Sequence, residues 1–128
     1  MPLPSGTARG ASPTGGVAHL VAELTGVADA CLRDSALLGG LLIAAAGAAG
    51  LHALTSPLLR VSDSRGVDGL LMLDGGHVAV HAQAERGVLL IDLLAPEPTD
   101  LTRALDVFTR RLAPAAVSAE RLIRTTPR

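Results

Sequence analysis

Aromatic side chains are nearly absent: Phe108 is the single phenylalanine, and the chain has no tryptophan or tyrosine. A core must therefore be packed from Ala, Leu and Val, and the surface offers almost no ring on which a nucleobase could stack. An excess of charge is missing as well, with 11 basic residues against 12 acidic ones. Nucleic-acid binding draws on a dense basic surface. Here the arginines from Arg103 to Arg128 are interspersed with apolar residues and read as a solvated face, so no nucleic-acid partner is expected. Cysteine is reduced to Cys31, which excludes an intrachain disulfide and points to a reducing compartment, the cytoplasm. The first fourteen residues lack the apolar segment of a secretory signal. A membrane span needs about 20 apolar residues. The strongest candidate, Ala36 to Leu54, is broken by Gly39, Gly40, Gly47, Gly50 and His52 and reads as a buried helix, so no membrane partner is expected.

What is present suffices for one domain of 128 residues with one hydrophobic core. Residues 1–15, rich in Pro, Gly, Ser and Thr, read as a disordered leader, and residues 16–126 as the domain. Gly16 to Thr25 alternates as a first strand, placing His19, Val21 and Glu23 on one face, an exposed edge in preference to a pocket lining. Asp34 or Ser35 caps a helix that ends near Ala49 at the stop signal Gly50. Leu51 to Val61 forms a second strand with Pro57 at an edge or bulge. Val67 to Leu73 is nearly all apolar and reads as a central third strand. His77 to Gln83 and Val88 to Leu94 are the fourth and fifth. Thr99 or Asp100 caps a second helix bearing Leu101, Leu105, Phe108 and Leu112 at helical spacing, and Val117 to Arg124 closes the chain as a strand. The order β-α-β-β-β-β-α-β predicts an α+β fold, a two-layer sandwich whose mainly antiparallel sheet carries both helices on one face.

Chemistry-bearing residues gather between Gly69 and Asp92. His77 and His81 bracket His-Val-Ala-Val-His, a strand pattern that puts both on one face but about 13 Å apart. One ion cannot be held by the pair, and no metal is expected. Gly75-Gly76 precedes no helix start, so it is a turn and not a phosphate cradle. Asp92 lies among aliphatic residues and needs a partner, with Arg86 or a histidine as candidates.

Several segments, taken together and in order, resemble the prokaryotic S-adenosylmethionine decarboxylase proenzymes. They are Gly16-Val-Ala-His-Leu-Val-Ala-Glu-Leu24, Gly66-Val-Asp-Gly-Leu-Leu-Met-Leu73, His77-Val-Ala-Val-His81, Glu85 and Ile91-Asp92-Leu93. In that family a serine in Glu-Ser-His self-cleaves into a pyruvoyl group, the electron sink for decarboxylation. The matching triplet here is Gly75-Gly76-His77, and glycine has no side-chain oxygen to attack the preceding carbonyl. Asp68 matches the family's processing serine, and Ala95 or Pro96 its proton-donating cysteine. Gln83-Ala84-Glu85 replaces Trp-Pro-Glu, so the adenine-stacking ring is lost while Glu85 matches the carboxylate that holds the ribose hydroxyls. His81 matches the histidine that assists processing.

The resemblance thus implies a homologue that makes no pyruvoyl cofactor, is not self-processed and does not decarboxylate. Its expected use is a repurposed pocket for a small-molecule ligand, with His81, His77 and Asp92 as catalytic acid/base groups and Glu85, Asp68 and Gly76 as ligand-contacting positions, without a cofactor. The alternative is a non-catalytic regulatory partner of an active decarboxylase in polyamine metabolism. Family members form dimers through their sheets. An uncovered sheet face of Val, Leu and Ala leads to the same expectation, a homodimer or a heterodimer with a homologue.

Overall fold

A computed structural model describes residues 16–124; the leader expected at 1–15 and residues 125 and 126 of the expected domain lie outside them. The chain runs β1 (Val17–Thr25), a short α1 (Asp29–Leu32), α2 (Ser35–Ala48), β2 (Leu58–Ser62), β3 (Gly66–Leu73), β4 (Gly76–Gln83), a 3-10 turn (Ala84–Arg86), β5 (Val88–Pro96), α3 (Leu101–Leu112) and β6 (Ala116–Arg124). The strands form one six-stranded sheet in the order β2-β3-β4-β5-β1-β6, and every neighbouring pair is antiparallel. This is the expected two-layer α+β sandwich with both longer helices on one face.

The period-2 pattern decides which side chains enter the core. In β1, Ala18, Leu20, Ala22 and Leu24 are buried under the helices, and in β4 Val78, Val80 and Ala82 are. The intervening residues, His19, Val21 and Glu23 in β1 and His77, Ala79 and His81 in β4, lie on the face that no helix covers. Phe108 of α3 is completely buried with Leu38, Leu42, Leu89 and Leu93, so the single ring sits where its volume counts most.

Helix α2 is apolar nearly all round, and small residues let it approach the sheet. A Cβ added to Gly39 would lie 2.8 Å from Leu59 Cδ1, and one on Gly69 would lie 3.0 Å from Leu42 Cδ1. Either addition would require the Leu59 or Leu42 side chain to give way. The helix starts where expected, with the Asp34 carboxylate accepting from the Leu37 amide at 3.0 Å. Asp100 does the same for α3, accepting from the Thr102 amide at 3.1 Å.

Two expectations are corrected. The second strand begins at Leu58 and not Leu51. Before Pro57, which has no amide proton to donate, the chain meets the sheet through an Ala53–Leu73 bridge, the Leu54 amide on the Met72 carbonyl and the Asp74 amide on the His52 carbonyl. Strand β3 is interior but not in the middle of the sheet, since only β2 lies outside it. Its apolar run arises because Leu70 and Met72 are apolar on the open face, where Met72 is half-exposed.

Candidate functional site

Asp92 finds its partners on both sides. It lies on β5 between β4 and β1, and Leu94, two residues further on, is paired with His77 of β4 and with His19 of β1. Both rings therefore flank the same rung of the open face, one step diagonally from Asp92. Asp92 Oδ1 accepts from His19 Nε2 and from His77 Nε2, each at 3.0 Å. A carboxylate only accepts, so both rings carry a proton on Nε2, and Nδ1 of each is the atom left for other partners. Burial pushes the Asp92 carboxyl up, but the hydrogen bonds from His77 and His19 and the charge of both rings outweigh it. The result is a carboxyl held below its ordinary value.

A second imidazole–carboxylate pair stands on the same face nearer the β2 edge. Asp68 of β3 is directly opposite His81 of β4, and His81 Nδ1 meets Asp68 Oδ1 at 2.9 Å. Arg65 Nη2 lies 3.7 Å from the other carboxylate oxygen. Leu58, Arg60, Leu70 and Ala79 complete a shallow groove of about 300 Å³ around this pair.

Glu85 sits elsewhere. The 3-10 turn carries it into a depression of about 260 Å³ lined also by Ser64, Arg65, Gln83 and Arg86. It shares no groove with His81. Arg86, one candidate partner for Asp92, donates instead to Gln83 Oε1 at 2.8 Å. Gly76 opens β4 immediately after Gly75, whose φ of +82° favours glycine. A Cβ on Gly76 would lie 1.9 Å from the Leu94 carbonyl oxygen and 3.1 Å from Ala95 Cα. The strands are too close there for any side chain.

Of the residues singled out from sequence, the structure joins His77 with Asp92, and His81 with Asp68, in two separate clusters on one face. It places Glu85 in neither cluster but in the depression with Ser64 and Arg65, and Gly76 beside His77 at the head of β4. His19 was missed as a partner. Its alternation with Val21 and Glu23 put it on a face, but only the long-range pairing of β1 with β5 puts that face beside Asp92. Among the described residues, no three His, Cys, Asp or Glu side chains are grouped to hold a metal. No described helix is long and apolar enough to cross a membrane.

The family model described as S-adenosylmethionine decarboxylase matches residues 18–125, nearly the whole chain. The chain belongs to this family. The fold of this S-adenosylmethionine decarboxylase homologue is similar to the crystal structure of the adenosylmethionine decarboxylase from Aquifex aeolicus VF5. The TM-score is 0.80 at 22% identity, over 90% of this chain and 95% of that one. No curated protein matches its sequence significantly.

Proposed function

We propose that this homologue does not self-process and that it moves protons on a small-molecule ligand with the imidazole–carboxylate groups of its open sheet face. The packing at Gly76 carries the first half of that reading. The resemblance aligns Gly76 with the serine that becomes the pyruvoyl group, and glycine offers only hydrogen where a hydroxyl must attack. The Leu94 carbonyl 1.9 Å from any Cβ at this position leaves no room for the missing atoms. The residues present do not fit a pyruvoyl group. Asp68 in place of the processing serine, and Ala95 or Pro96 in place of the cysteine, point the same way. Acid–base chemistry by the chain's own side chains is what remains.

Two imidazoles sharing the Asp92 oxygen support the second half. Histidine changes charge near neutrality, and a carboxylate that orients a ring by one nitrogen leaves the other to give or take a proton. The ligand class is a small polar molecule with a dissociable proton. A second copy, or a homologue, covers the open face and places these groups at an interface. One observation favours the alternative of a non-catalytic partner of an active decarboxylase: Leu58, Met72 and Leu122 are 70%, 48% and 48% exposed on that same face.

Imidazole resonances followed by NMR during titration with a metabolite panel, S-adenosylmethionine included, test the proposal. The expected result is a shift of the His19 and His77 signals by at least one compound, abolished in Asp92→Asn. No shift with any compound, together with co-sedimentation with an active family decarboxylase, would replace this reading by the partner one.

A further inference from the structure

Strand β2 ends the sheet beside β3 and carries a cation that the fold leaves unmatched. Arg60 is directly opposite Asp68, and Asp68 is directly opposite His81, so one rung of the open face reads Arg-Asp-His across three strands. Cross-strand neighbours of opposite charge ordinarily pair. Here both carboxylate oxygens are already engaged: His81 Nδ1 meets Oδ1 at 2.9 Å, and Arg65 Nη2 lies 3.7 Å from Oδ2. Among the described residues, Arg60 has no ion-pair partner. Arg65 balances Asp68, and Arg60 is the surplus charge. The next rung is apolar. Leu58 is opposite Leu70, and Leu70 is opposite Ala79, two residues along each strand and hence on the same face. Both rungs line one groove of about 300 Å³, at the lower end of the range for small-molecule sites.

We infer that this groove binds a small organic acid, with its carboxylate on the Arg60 guanidinium and its apolar tail on Leu58, Leu70 and Ala79. A guanidinium offers a carboxylate two parallel N–H donors, and the aliphatic rung takes the tail out of water. Two residues along a strand span about 7 Å, the reach of a tail of roughly four or five carbons. His81 completes the charged rung. A carboxylate only accepts, so the ring's proton sits on Nδ1 toward Asp68 and Nε2 is left free. A protic group next to the ligand's carboxylate meets that nitrogen. This inference rests on the reading of the open face as a ligand site, and it names the ligand class at the second imidazole–carboxylate pair.

NMR titration of the full chain with 4-methylpentanoate, its amide and acetate tests the inference, followed at the His81 ring and the Arg60 side-chain N–H. 4-Methylpentanoate should shift both signals. It should bind about tenfold or more tightly than the amide, which lacks the charge, and than acetate, which lacks the tail. Arg60→Gln should bring the acid down to the affinity of the amide and leave the amide where it was, a result that a misfolded variant cannot give. Leu58→Ser should narrow the gap between 4-methylpentanoate and acetate. No shift at His81 or Arg60 with the acid, equal affinity for acid and amide, an Arg60→Gln chain that still prefers the acid, or a gap unchanged in Leu58→Ser would each overturn the inference. Shifts at His19 and His77 with none at His81 would overturn it too, while leaving the proton-transfer reading of the Asp92 cluster standing.

Discussion

Replacing Gly76 is the sharpest perturbation, because steric and chemical consequences can be read from the same protein. Gly76→Ala and Gly76→Ser each place a Cβ 1.9 Å from the Leu94 carbonyl oxygen and 2.7 Å from its carbon. Ordinary contact needs roughly 3.5 Å or more, so the start of β4 must move from β5 by well over an ångström. The obstructing atoms are backbone and cannot rotate aside as a flexible side chain would. Overpacking costs about 1–3 kcal/mol and occasionally more. The expected destabilisation is about 2–4 kcal/mol for either variant, a fall in Tm on the order of 10 °C for a domain of this size. Urea denaturation and calorimetry measure it. The serine variant should also remain a single intact mass and release no carbon dioxide from S-adenosylmethionine above a blank, since Asp68 and Ala95 are unchanged. A serine variant as stable as wild type would refute the steric argument. Two fragments from it would refute the chemical one.

Asp92→Asn should flatten the acid limb of the stability curve. The Asp92 carboxyl is held below its ordinary value in the folded chain, so its contribution is full above about pH 4 and lost as pH falls through the lower folded value. With the side chain 43% exposed, solvent screening keeps that contribution below about 1 kcal/mol; a larger change in acid unfolding would show a stronger coupling than the geometry supports. Phe108→Ala should cost about 3–5 kcal/mol by chemical denaturation, because the ring is fully buried and no other aromatic can refill the space. His81→Ala should stay within about 0.5 kcal/mol of wild type, since the ring is mostly exposed and Asp68 keeps Arg65. Wild-type protein analysed by mass spectrometry should show one intact chain.

Strand and helix positions were legible in the sequence because each depends on local order. Alternation in Val17–Thr25 and in Gly76–Gln83, helical spacing from Leu101 to Phe108, and Asp34 and Asp100 ahead of their helices are read within a few residues of one another. The absence of a side-chain oxygen at Gly76 is likewise a fact of composition. Where the second strand begins was not legible, because the segment from Leu51 to Pro57 has strand-like residues whose pairing depends on what β3 can reach. The partners of Asp92 were decided only by tertiary structure. Sequence limited them to Arg86 or a histidine, and the pairing of β1 with β5 brought His19, 73 positions away, to 3.0 Å. The same pairing left Arg86 on the turn with Gln83. The separation of His81 from Glu85, four residues apart in the chain, has an equally spatial cause. A strand sets His81 beside Asp68, while the 3-10 turn that follows carries Glu85 into a separate depression with Ser64 and Arg65. The crowding at Gly76 is of this kind too: a carbonyl from Leu94 on a neighbouring strand shuts the position. Local order sets which face a side chain takes, and only the packing of distant strands sets what it meets there.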